Sequence, residues 1–291
     1  MSAVVGRVEG RVAAVTGAGS GIGRALAYEL AKRGARLSVS DLDEAGLAET
    51  AERVTALGAP VLATRVDVTD RVAVATYAQA TVERFGVVHE IYNNAGIAGA
   101  PRSVLEADYA DLERVIDVDL WGVIHGSKEF LPHLVASGAG RIVNISSLNG
   151  LFAQPGLAGY CTAKFAVRGF TEALRGEVVR DRLPVRVTVV HPGGVRTGIA
   201  LSALSRTQAS DRPLDDAAAA RVRRYHDRLL RMDPVRAATI ILDGVAAGRG
   251  RILVGGDARA MDALVRLAPS GAPRLAARLE RALGPGRVTR S

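Results

Sequence analysis

The chain is short of cysteine, lysine and aromatic residues, and each shortage removes a class of protein. Cys161 is its only cysteine in 291 residues, so no intramolecular disulfide can form. With no charged start and apolar run of a secretory signal, that lone thiol sets the expectation of a reducing, cytoplasmic location. No apolar stretch approaches the roughly 18 residues of a membrane-spanning helix, so no membrane span is expected. The net charge of +8 would suit a nucleic-acid binder, but Lys32, Lys128 and Lys164 are the only lysines among 38 basic residues. The arginines are scattered, aromatics make up only 4%, and no zinc-ligand or RNA-recognition pattern is present, which together exclude nucleic acid as the expected partner. No metal site is expected either.

What the sequence does have is alternation. Short β-branched runs begin at Val12, Arg36, Val61 (VLATRVDV), Glu90, Arg141, Val185 and Arg251, separated by longer amphipathic stretches starting near Ile22, Asp43, Asp70, Asp108, Gly159 and Pro234. That rhythm predicts an α/β fold, a doubly wound parallel sheet of about seven strands with helices on both faces, in a single domain. The expected boundaries are a tail over 1–10, the domain over 11–257 with a lid insertion over 198–232, and a helical appendage over 258–291. In the appendage Leu275, Leu279 and Leu283 recur at helical spacing after the PSGAP break.

Two stretches suggest chemistry. TGAGSGIG, from Thr16 to Gly23, follows the first strand and opens a helix, and Gly17, Gly21 and Gly23 would let backbone N–H groups approach a pyrophosphate. A flexible turn is the plainer alternative. Asp41 ends the second strand 24 residues after Gly17, where a carboxylate accepts from ribose hydroxyls and repels a 2′-phosphate, favouring NAD over NADP. Asp67 is placed for the adenine edge or for a helix N-cap. Downstream, YCTAKF sets Tyr160 one helical turn before Lys164. Such a pair can be a surface ridge. It can also be a proton device, because a phenol of ordinary pKa about 10 is a poor base at neutral pH and a neighbouring ammonium lowers it by about 1 to 3 units.

TGAGSGIG, Asp41, Asp67, NNAG at Asn93 to Gly96, SSLNG at Ser146 to Gly150, YCTAK and HPGGVRT at His191 to Thr197 together resemble the short-chain dehydrogenase/reductase family, from about residue 10 to residue 256. The resemblance implies a Rossmann-type sheet, nicotinamide-dependent hydride transfer and a homodimer or homotetramer. It selects Ser147, 13 residues before Tyr160, as the active-site serine, and gives Lys164 a second task at the nicotinamide ribose. It places Gly17, Ser20, Gly21, Ile22, Gly23, Asp41, Asp67, Val68, Asn93, Ala95, Gly96, Tyr160, Lys164, Pro192, Gly193, Val195 and Thr197 around the cofactor. Asn149, Leu151, Phe152, Gln154 and Leu201 are the expected contacts of a small, apolar substrate. His191 and Cys161 are expected to be structural.

One position departs from the family pattern. Asp119 stands where many members have asparagine, and its charge could raise the Lys164 pKa and offset the pull on Tyr160. Two readings follow: an NAD-dependent oxidoreductase of a secondary alcohol or its ketone, with Ser147, Tyr160, Lys164 and Asp119 as the reacting group, or a catalytically weak NAD-binding redox sensor or scaffold.

Overall fold

The computed structural model describes residues 8–282. In chain order the elements are β1 (Val12–Thr16), α1 (Gly21–Lys32), β2 (Arg36–Asp41), α2 (Glu44–Ala56), β3 (Val61–Arg65), α3 (Arg71–Phe85), β4 (Glu90–Asn93), α4 (Tyr109–Ile116), α5 (Gly122–Ala136), β5 (Gly140–Ile145), α6 (Ala158–Arg180) and β6 (Val185–Pro192). Then come α7 (Ile199–Gln208), α8 (Asp216–Leu229), α9 (Pro234–Ala246), β7 (Arg251–Val254), α10 (Gly256–Leu267) and α11 (Ala272–Ala282). All strand pairs are parallel, in the order β3-β2-β1-β4-β5-β6-β7. The order reverses between β1 and β4, the switch point where such sheets open a crevice at their carboxyl ends.

Successive strand residues face opposite sides, and here both sides are covered. Ala13 and Val15 join Leu26, Leu30, Leu37 and Ile241 in one core, whereas Val12 and Ala14 join Ile91, Phe130, Leu134 and Ile142 in the other. At the amino ends of the strands Glu90 is fully buried, yet its carboxylate accepts from Arg11 at 2.7 Å, Arg141 at 2.8 Å and the Tyr92 hydroxyl at 2.7 Å.

Three expectations needed adjustment. The run VLATRVDV is strand only as far as Arg65, because β3 is an edge strand and its only neighbour, β2, ends with it at the Asp41 to Arg65 pairing. The helix that begins near Asp108 is interrupted by a π turn over Asp117–Trp121 before α5, a bulge that apolar periodicity does not report. The last helical pair begins at Gly256 and breaks at Pro269–Gly271, and Leu283 lies outside the described residues, as does 1–7 of the expected tail. Among the described residues no helix is long and apolar enough to cross a membrane.

Candidate active site

The glycine stretch runs from β1 into α1. A Cβ on Gly17 (φ +65°) would lie 2.7 Å from the Ala95 Cα, so the turn passes against the loop after β4 only with glycine there. Asn94 fixes that contact by donating to the carbonyls of Thr16 and Gly17 at 3.0 and 3.1 Å. Ser20, the N-cap of α1, makes no side-chain cap and no acidic residue occupies the first turn. The positive end of α1 is therefore open to an anion. Beside it Asp41 accepts from the Gly19 N–H at 2.7 Å through one oxygen and from the Asp43 N–H at 3.0 Å through the other. A carboxylate has about four lone-pair sites, so acceptor capacity remains for ribose hydroxyls. Arg24 is committed to the Gly19 and Gly46 carbonyls and to Glu49.

The reacting residues gather at the carboxyl ends of β4 and β5. Ser147 follows β5 in extended backbone and takes the Asn149 N–H at 3.1 Å. Tyr160 and Lys164 come from the first two turns of α6, with the Lys164 Nζ 5.5 Å from the Tyr160 ring centroid. Lys164 is buried, donates to the Ile145 carbonyl at 3.3 Å and pairs with Asp119 Oδ2 at 2.9 Å. The π turn aims Asp119 inward, and its other oxygen takes the Ile97 N–H at 2.7 Å. Gly96 lets the chain cross this ion pair, since a Cβ there would stand 3.2 Å from Asp119 and 3.3 Å from Lys164.

This arrangement changes the electrostatics expected for Tyr160. Burial first, and then the Asp119 carboxylate, push the phenol pKa well above its ordinary value, with hydrogen bonding to Ser147 offsetting part of the rise. The expectation that Lys164 lowers Tyr160 therefore does not hold in this structure, because the ammonium is already neutralised by Asp119. Asp119 is itself raised by desolvation and partly restored by Lys164.

His191, fully buried at the end of β6, meets the Ser147 carbonyl through Nδ1 at 2.9 Å. Burial lowers its pKa to about 4, so it is neutral at pH 7 and holds Ser147 by its backbone, the structural role expected. Beyond Pro192 the residues Gly193 to Thr197 run between two late elements. Asp257 in the first turn of α10 accepts the Gly194 N–H at 2.6 Å, and a Cβ on Gly193 would sit 2.2 Å from that carboxylate. On the other side Arg231 and Met232 donate to the Gly194 carbonyl at 2.9 and 3.0 Å, while Val195 bridges to Met232. Thr197 closes over the glycine turn, its methyl 3.1 Å from where a Gly21 Cβ would be.

Ser20 is exposed, Ile22 and Ala95 are half-buried, and Val68 is buried against Gly122 with its carbonyl on His125. Asp67 takes the Thr69 N–H and hydroxyl, leaving Asp70 as the N-cap of α3 and so removing the capping alternative. The Asn93 side chain lies in a buried network with Ser127 and Asn144, so the cofactor contact expected of Asn93 falls to its backbone. Among the substrate candidates, Asn149 and Gln154 bond each other at 3.2 Å and both touch the Cys161 sulfur. Leu201 is exposed and Leu151 is buried. Phe152, expected at the substrate, instead packs with Ala272, Ala276 and Met261 of the last two helices. Asp257 belongs to no recognisable motif, so the sequence pattern does not announce its hold on Gly194.

The fold and the convergence of Ser147, Tyr160 and Lys164 at its switch edge define the class, a Rossmann-type α/β oxidoreductase. Residues 11–208 match the short chain dehydrogenase family, and the chain belongs to it. It is 51% identical to SadH of Mycobacterium tuberculosis over 270 residues, 92% of this chain and 95% of that protein. It is 35% identical to cyclohexanol dehydrogenase of an Acinetobacter species over 64% of this chain and 74% of that one. A short chain dehydrogenase/reductase from Burkholderia phymatum, solved in complex with NAD, superposes with a TM-score of 0.83 at 32% identity over 96% of this chain and 98% of the other.

Proposed function

We propose that the protein is an NAD-dependent dehydrogenase of an apolar, cyclic secondary alcohol, working reversibly on the matching ketone. The observation that carries this reading is the gathering of Ser147, Tyr160 and Lys164 at the same sheet edge as the open end of α1 and Asp41. The NAD complex of the Burkholderia relative and the named substrate of the Acinetobacter relative support it. NAD would lie with its pyrophosphate on α1, its adenosine ribose on Asp41 and its nicotinamide against Val195 and Thr197. When bound it supplies the hydride acceptor.

The chain's own residues handle the oxygen. Ser147 orients the alcohol, Tyr160 removes its proton as hydride leaves the carbon, and Lys164 holds ribose hydroxyls. Asp119 holds Lys164 in place. Residues 198–232 act as the lid, strapped down by Arg212 on Asp108 and by Arg206 on the Ala98 carbonyl at 2.9 Å. The working form is a homodimer or homotetramer, and the single buried thiol suits a reducing cytoplasm.

Absorbance of reduced nicotinamide, with NAD or NADP and a panel of cyclic and linear secondary alcohols, tests the reading. Turnover with NAD that disappears in Tyr160→Phe while NAD binding persists is the expected result. The raised phenol pKa favours a second reading, a weak or silent NAD-binding sensor. NAD binding without turnover at any pH between about 6 and 10 would select that one.

A further inference from the structure

The last helix carries its charge on the side that the body leaves free. α11 packs through Ala272 and Ala276, both buried, against Phe152, with Met261, Leu264 and Val265 of α10 beside them. Arg274, Arg278 and Arg281 recur at i, i+4 and i+7, so they form one stripe, and helical geometry sets that stripe opposite the two alanines. All three are exposed, and with Pro273 and Ala277 they line a shallow groove.

The stripe lacks counter-charge. Among the described residues none of the three arginines has an acidic partner, and Arg281 bonds only the Ala277 carbonyl of its own helix, at 3.3 Å. Arg251 and Arg266, by contrast, share Asp262. Glu280 is the one acid of α11, and it stands at neither the three- nor the four-residue spacing from any of the arginines that would let the side chains meet. The sequence continues the excess. Residues 268–291 hold Arg274, Arg278, Arg281, Arg287 and Arg290 against Glu280 alone, the last two arginines lying outside the described residues.

Uncompensated positive charge of this density selects an anionic surface. A second copy of the chain presents the same charge at this face and is repelled. For nucleic acid the stripe has no aromatic or amide side chain with which to stack on a base or read its edge. Leu267, 86% exposed at the end of α10, and Leu279, 46% exposed on α11, instead give this end of the molecule apolar groups that suit the headgroup boundary of a bilayer.

We infer that α11 is a membrane-docking helix whose arginines hold the protein on bilayers with anionic headgroups. The docking is independent of the dehydrogenase reading. The bilayer would lie across α11 from Phe152, about one helix diameter, or roughly 10 Å, from a residue five positions after Ser147. Apolar alcohols concentrate in such a bilayer, so docking would bring the reaction edge to their reservoir.

Cosedimentation of the full chain with vesicles of phosphatidylcholine, with and without about one third phosphatidylglycerol, tests the inference. Binding is expected to the anionic vesicles only, with release as salt rises from about 0.05 to 0.5 M. Each arginine neutralised should weaken binding roughly fivefold, so Arg274→Gln, Arg278→Gln and Arg281→Gln together should weaken it about a hundredfold at an unchanged unfolding midpoint. The three lysine substitutions together keep the charge and should bind like the wild type. No binding to anionic vesicles at low salt, equal binding to neutral ones, or undiminished binding of the glutamine variant would overturn the inference and leave the dehydrogenase reading untouched. Tighter arginine-dependent binding to a short DNA duplex than to the vesicles would overturn it in favour of nucleic acid.

Discussion

At the scale of the residue, the protein works against its own ion pair. Asp119 neutralises Lys164 at 2.9 Å and, after burial, is the second cause of the high Tyr160 pKa. Removing that carboxylate while keeping its shape frees the ammonium to act on the phenol. Asp119→Asn should therefore move the ascending limb of the kcat/KM profile for alcohol oxidation to lower pH by about one unit and raise the rate at neutral pH several-fold. A profile identical to that of the wild type would remove Asp119 from the proton path. On the proposed reading a second carboxylate sets cofactor choice: Asp41→Ala should lower the ratio of NAD to NADP activity at least tenfold, read from KM values for the two cofactors. Tyr160, Lys164 and Asp41 were legible in the sequence because short motifs carry them. The sign of the Tyr160 shift was not, because it depends first on how deeply the phenol is buried and then on the Asp119 carboxylate, which a π turn carries inward.

At the scale of the element, the sheet was legible and its connections were less so. All seven strands start within a residue of the apolar runs that announce them, since a strand covered on both faces must be apolar throughout. The fate of Phe152 shows what that pattern leaves open. Apolar character requires burial but does not name the partner, and here the partner is a pair of helices more than a hundred residues later. Those helices reach the site through Asp257, which holds the Gly194 N–H at 2.6 Å. Asp257→Ala releases one anchor of the loop proposed to meet the nicotinamide, so the NAD KM should rise about fivefold with a smaller fall in kcat. Equal NAD affinity in the variant would show that the Met232 clamp is sufficient.

At the scale of the whole molecule, stability should fall on mild acidification. An unfolded chain protonates His191 near its ordinary pKa of 6.5, whereas the folded protein resists until about 4. Protons are therefore taken up preferentially by the unfolded state within that window, and stability present above pH 6.5 is lost as pH falls through it. The full effect is about 3 kcal/mol, and His191→Asn should flatten the fall in unfolding midpoint between pH 7 and 5. At the opposite end of the sheet, Glu90→Gln would remove the buried carboxylate that Arg11 and Arg141 share, a loss of about 3 kcal/mol in denaturant unfolding.

The buried thiol offers something of another kind. Cys161 adjoins Tyr160 in the chain, is 5% exposed and is covered by the Asn149 to Gln154 loop. With no other sulfhydryl in the sequence, a thiol reagent has one address in this protein and reaches it only when that loop lifts. The labelling rate is thus a clock for opening of the reaction edge, readable without mutation, and ligands that close the edge should slow it in proportion to their occupancy.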